Sequence, residues 1–185
     1  MNKEMKQTLN EIIDFEIDRP TKHHAHESIP HIEQQYGVSL PQDYKDFLLG
    51  FGGCFIKENA MYQPIEMPPV TPKDGFDSIN GFYGCVSNIL NLMSVIQTYK
   101  DVLGGSFLPI ADADGGDLIC MGLKGEYEGR IYYWYHEGDT GENGQEYYYL
   151  VANSFEEFIR KFSLHEREQP VNLDDIDLFL LDKDC

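Results

Sequence analysis

The chain is short of positive charge. Against 32 Asp and Glu it carries 14 Lys and Arg, a formal net charge of −18 over 185 residues. Nucleic-acid phosphates would repel such a molecule, so direct nucleic-acid binding is excluded as its main activity. Cysteine is sparse: Cys54, Cys85, Cys120 and Cys185 stand far apart and form no CxxC pair. That excludes a disulfide framework and a zinc signature, and it leaves Cys54 and Cys120, within or beside apolar runs, as small core residues. No apolar run is long enough to span a bilayer, so no membrane contact is expected. Residues 1–13 are polar and amphipathic, unlike a signal peptide. These absences together predict a cytoplasmic protein with reduced thiols. Repeats are absent too, and no serine sits in a nucleophile motif. No cysteine has an evident histidine partner, so covalent catalysis has no carrier.

What is present is ordinary in bulk and pointed in places. Apolar residues make up 42% and charged residues 25%, as in a globular domain with a real core. The most informative stretch runs Leu108-Pro109-Ile110-Ala111-Asp112-Ala113-Asp114-Gly115-Gly116-Asp117-Leu118-Ile119-Cys120. Two apolar runs flank a turn dense in Asp and Gly, residue types that hydrogen-bond local amides or accept unusual backbone angles. A strand over 117–123 is expected after the turn. The spacing of Asp112, Asp114 and Asp117 partly mimics a calcium loop, but it places Asp117 where glycine is required and Leu123 where glutamate is required. A tight polar turn without metal is the expectation.

Around this centre the chain divides into residues 1–27, an N-terminal helix and linker, residues 28–165, the main domain, and residues 166–185, an acidic tail. Met5, Leu9, Ile12 and Ile13 recur at helical spacing, and Pro20 closes that helix. The linker holds His23, His24 and His26, with no Cys or carboxylate at a metal-binding spacing. A short helix is expected over 30–36, then one whose Tyr44, Phe47, Leu48 and Phe51 form an apolar stripe, stopped by Gly52-Gly53. Residues 54–56 read as a brief strand, 62–76 as a proline-rich irregular loop, and Phe82-Tyr83 as another strand. Ser87 is a plausible N-cap for a helix carrying Ile89, Leu92, Met93, Ile96 and Tyr99. The clearest strand covers 130–137, with Ile131, Tyr133 and Tyr135 on one side and Tyr132, Trp134 and His136 on the other. A turn-rich loop over 138–144 leads to a partner strand over 146–151. Ser154-x-x-Glu157 is a capping box opening a last helix. Consecutive strands joined by tight turns predict an α+β fold with a central antiparallel sheet and helices packed around it.

Four pieces in this order resemble the SUKH superfamily, which includes bacterial immunity proteins and fungal regulators of cell-wall synthesis. They are Ile32, Glu33 and Tyr36 followed by Leu40-Pro41-x-x-Tyr44-x-x-Phe47-Leu48 and Gly52-Gly53; Leu108-Pro109-Ile110-Ala111 with Gly115-Gly116-Asp117; Gly129 leading to Tyr133-Trp134-Tyr135-His136-Glu137; and Ser154-Phe155-Glu156-Glu157-Phe158-Ile159. The resemblance implies the same α+β architecture and a binding protein rather than an enzyme, one that neutralises a nuclease or deaminase toxin of a bacterial polymorphic or contact-dependent system.

The charge makes physical sense of that implication. An enzyme that grips nucleic acid carries a basic cleft, and an acidic protein can cover it. Residues 101–146 hold ten acids against Lys124 and Arg130. The candidate partner-binding residues are Asp112, Asp114 and Asp117 of the central loop, Glu137, Asp139 and Glu142 of the hairpin, and the neighbouring Tyr133 and Tyr135. The expected partner is a basic protein, a toxin domain, with no cofactor. Two other readings compete: an intracellular interaction scaffold of the kind the fungal relatives suggest, and a metal hydrolase built on Asp112, Asp114, Asp117 and His136. The oligomeric state is not encoded in any motif.

Overall fold

The structure, a computed structural model, describes residues 1–15, 24–86, 89–138 and 147–166. Expectations placed on Pro20, His23, Ser87, Asp139, Glu142 and the tail beyond residue 166 lie outside the described residues.

Helix α1 (Lys3–Ile12) is capped by Asn2, whose side chain accepts from the Met5 N–H. It buries Met5, Leu9 and Ile12 on one face. Helix α2 (Ala25–Tyr36) starts five residues before the expected 30–36, with Pro30 inside it. Proline is favoured at a first turn, which is why it reads as a helix start. Here Ala25, Ile29, Ile32 and Tyr36 form one continuous buried stripe, and the burial outweighs the single backbone bond that Pro30 cannot donate. Helix α3 (Gln42–Gly50) buries Tyr44, Phe47 and Leu48.

Four short strands follow: β1 (Cys54–Phe55), β2 (Ala60–Tyr62), β3 (Asp77–Ser78) and β4 (Gly81–Phe82). Gly84, just beyond β4, meets Gly53 so closely that a side-chain carbon there would lie 1.9 Å from the Gly53 nitrogen. Only glycine permits this approach. The Gly84 N–H donates to Leu90 O and the Leu92 N–H to Gly84 O. Pinned in this way, the chain enters helix α4 (Leu92–Leu103) at Asn91, whose side chain caps the Ser94 N–H. Ile89, expected on the helix stripe, lies before the helix and is exposed.

The centre of the fold is the meander β5 (Phe107–Asp112), β6 (Leu118–Gly122), β7 (Ile131–Trp134) and β8 (Tyr148–Ala152). With β1 and β4 it makes one antiparallel sheet in the order β1-β4-β5-β6-β7-β8. Proline has no amide to donate, so it sits in a central strand only at an irregularity; the β5–β6 register shifts between Pro109 and Ala111. The outer edge of β8 is closed by the proline-rich loop. Ile65 and Glu66 donate to Val151 O and Leu150 O, and the Glu66 carboxylate accepts from the Leu150 N–H. Such blunting protects an edge strand from foreign pairing.

Helix α5 (Phe155–Arg160) opens at Ser154, whose hydroxyl accepts from the Glu157 N–H. The Glu157 carboxylate returns one residue earlier than a capping box requires, to the Asn153 N–H. Strand β9 (Ser163–Leu164) then joins β2 and β3 in a second sheet, ordered β3-β2-β9. Under α3 and α5 the core is aromatic. The Phe47 ring lies 5.1 Å from Phe82 and 5.3 Å from Phe155, and Phe158 lies 5.1 Å from Tyr62. Each buried aromatic of this kind contributes about 1.5–3 kcal/mol by leaving water. Helix α1 packs on α5 and β9, so it shares this core. Among the described residues no helix is long and apolar enough to cross a membrane.

Candidate functional site

The acidic loop between β5 and β6 is a single 3-10 turn, Asp114–Gly116, with Gly115 and Gly116 at φ 73° and 95°. Asp117 closes it by donating its N–H to Asp114 O. That turn sends its three aspartates to different places. Asp112 pairs across the ladder with Leu118, and Leu118 with Trp134. Directly opposed residues share a face of the sheet, so Asp112 belongs to the α4 side with Trp134. There its carboxylate accepts from the Tyr83 hydroxyl at 3.0 Å and from the Asn80 amide. Tyr133 faces the other way, and Asp117 goes with it.

Asp117 is 2% exposed. Its carboxylate accepts from the Tyr133 hydroxyl at 2.6 Å, from the His136 backbone N–H at 2.9 Å, and lies 2.6 Å from His136 Nδ1. A buried carboxylate needs this degree of satisfaction. Burial and the adjacent Asp117 push the Tyr133 phenol far up, so it stays a donor. Asp117 therefore holds the end of β7 against the acidic turn. It is an internal tie, whereas the sequence placed it on an acidic surface.

Beside this tie lies a cleft of about 320 Å³. Asp77, Asp114, Asp117 and Glu137 supply its acids, and Tyr133, Tyr135 and His136 its polar aromatic wall. The opposite rim is apolar, from Met61, Val70, Pro72 and Phe76. Asp77 is buried and accepts from the Thr71 hydroxyl at 2.9 Å. Desolvation, aided by Asp74 and Asp114, raises its carboxyl above the usual range despite that bond. Asp114 is exposed and accepts from the Ser78 hydroxyl at 3.3 Å. Glu137 is exposed and accepts from the Tyr135 hydroxyl at 3.1 Å. Desolvation and the neighbouring Glu137 raise the Tyr135 phenol. Among the described lining residues His136 alone is basic, and no described lysine or arginine forms an ion pair with the four acids.

Of the residues singled out from sequence, Asp114, Asp117, Tyr133, Tyr135 and Glu137 thus line one cleft, and Asp112 does not. Asp139 and Glu142 lie outside the described residues. The metal-hydrolase set Asp112, Asp114, Asp117 and His136 does not assemble, because Asp112 is on the other face. Among the described residues no three His, Cys, Asp or Glu side chains gather as metal ligands. Asp77, Met61 and Phe76 were missed. They sit on, or next to, β2 and β3, inside or beside the stretch read as an irregular loop, and strands of three and two residues leave no periodic signal in the sequence.

A model of the SMI1/KNR4 family (SUKH-1) matches residues 25–161. The chain belongs to the SMI1/KNR4 family. One relative within reach of sequence comparison is the SPbeta prophage-derived uncharacterized protein YokK of Bacillus subtilis (strain 168). It is 34% identical over 173 residues, which covers 87% of this chain and 85% of that protein. The SUKH-1 match spans α2 through α5 and both sides of the cleft, so the site is part of the shared domain. Helix α1 precedes the matched SUKH-1 region and packs on its last helix.

Proposed function

We propose that this SUKH-1 protein is an immunity protein that binds and neutralises a cognate toxin, a nuclease or deaminase of a bacterial polymorphic or contact-dependent system. One observation carries the reading: an acidic, aromatic cleft with no lysine or arginine of its own among the described residues. A negative site of this kind attracts a basic partner from a distance and holds it through tyrosine contacts. The prophage origin in the name of the Bacillus subtilis relative is in keeping with a mobile defence or competition locus. No catalytic step is assigned. His136 and Asp117 form a hydrogen-bonded pair, but its acid is already engaged by Tyr133 and the His136 N–H, and no nucleophile among the described residues is bonded to its base.

The test is co-expression of the full chain with candidate nuclease and deaminase toxin domains, scored as survival. Rescue by this chain and none by an unrelated acidic protein is expected. No rescue, with several weak partners recovered instead, would replace this reading with the scaffold one.

A further inference from the structure

Building on the reading of this face as the partner-binding one, we infer that the cleft receives a single arginine side chain of the partner protein. Both oxygens of Asp117 are occupied. Thr71, Ser78 and Tyr135 each engage one oxygen of Asp77, Asp114 and Glu137 respectively. One oxygen of each of those three acids is left without a hydrogen-bond donor among the described residues. The cleft therefore offers surplus acceptors and negative charge, and its one basic group among the described residues, His136, holds Nε2 3.9 Å from Glu137 Oε1.

Tyr62 is fully buried, and its hydroxyl has no hydrogen-bond partner among the described residues. The ring stands 5.1 Å from both Phe158 and Phe162 in the core. Tyr62 pairs across the β2–β3 ladder with Asp77, a residue of the cleft, so the two side chains share a face of that sheet. An orphaned buried hydroxyl is costly, and this one stands on the same sheet face as a cleft carboxylate.

The ligand must then bring several donors, positive charge and a flat shape. A metal ion is a poor match, because no three ligating side chains gather there among the described residues. An ammonium brings three donors around a point. A guanidinium brings five in a plane, pairs with carboxylates side-on, and stacks on aromatic rings such as Tyr135 and Phe76. The apolar rim of Met61 and Val70 suits the methylene stem below such a head group. At about 320 Å³ the cleft stands at the low end of ligand sites, roughly 300–1,000 Å³, so it suits one side chain.

The experiment is an NMR titration of the full chain with L-argininamide, L-lysinamide and L-citrullinamide, the last keeping the arginine shape without its charge. Argininamide should shift the His136 and Tyr135 signals saturably, and at least about tenfold more tightly than either other probe. Asp114→Asn with Glu137→Gln, both at exposed positions, should weaken argininamide about tenfold with the thermal midpoint unchanged. Tyr62→Phe should weaken it too, with no loss of thermal midpoint, because it deletes only an unpaired hydroxyl. Equal binding of citrullinamide or lysinamide, shifts that persist in the double variant, or no shift at all would overturn the inference. Rescue of toxin-expressing cells is scored separately. Rescue without argininamide binding sinks the arginine site alone, whereas argininamide binding without rescue sinks the immunity reading alone.

Discussion

The two sides of this molecule satisfy their side chains differently. Under α3 and α5, Phe47, Phe82, Phe155 and Phe158 interlock, and the only unpartnered buried polar side-chain atoms there, among the described residues, are the hydroxyls of Tyr44 and Tyr62. Twisted around the same sheet, the cleft keeps Asp77 and Asp117 buried beside Asp114 and Glu137, and it bonds only some of their oxygens. The core is built to persist. The cleft gathers like charges where burial disfavours them, which is the pattern of a site shaped for something other than stability.

That contrast can be broken at graded strengths. Phe82→Ala removes a fully buried ring that touches Phe47, Phe155 and Phe158. A loss of about 3–5 kcal/mol is expected in urea unfolding. Asp117→Ala strands the Tyr133 hydroxyl and the His136 N–H, and should cost about 2–3 kcal/mol by the same assay. A loss as large as that of Phe82→Ala would mean that the tie is part of the core.

Asp77 sharpens the comparison through pH. Its carboxyl is raised in the folded state, chiefly by burial. The unfolded chain therefore ionises first. Its favourable contribution is complete below the unfolded value, about 3.9, and is lost as pH rises through the higher folded value. Asp77→Asn should gain stability relative to the parent as pH is raised from about 4 towards neutrality. A difference independent of pH would show that Asp77 is comfortably ionised. Glu33 gives the opposite sign outside the cleft. The Leu40 N–H, with Lys45 and Ser39 in support, lowers its carboxyl. Its contribution is present above the unfolded value and lost as pH falls through the lowered one. Glu33→Gln should therefore be destabilising at neutral pH, with the deficit shrinking in acid. The smallest effect belongs to Asp114→Asn and Glu137→Gln, which should change stability by no more than about 0.5 kcal/mol.

How much of this was legible in the chain follows from how local each feature is. The α5 cap, the α3 stripe and the β5–β6–β7 meander depend on neighbours within a few residues, and period and turn chemistry reveal them. The α+β class followed from that meander. The start of α2 was hidden because Pro30 mimics a first turn while Ala25 and Ile29 extend the apolar stripe before it. The start of α4 was hidden because the Gly84–Leu90 contact that delays it joins segments by backbone bonds without a side-chain signature. Half of the cleft was visible as Asp114, Asp117, Tyr133, Tyr135 and Glu137. The other half comes from β2 and β3, strands of three and two residues too short to show a period. The separation of Asp112 from Asp117 needed the register of the sheet, since five residues with a turn between them fix neither face.

The central claim is that the acidic cleft draws in a basic toxin. The most direct measurement is the rate of association between this chain and a toxin domain that it neutralises on co-expression, taken across ionic strength for the parent and for Asp114→Asn with Glu137→Gln. A steep fall with salt for the parent, and a slower, flatter dependence for the double variant, is the predicted result. Rates insensitive to salt, or identical slopes for the two proteins, would contradict the account.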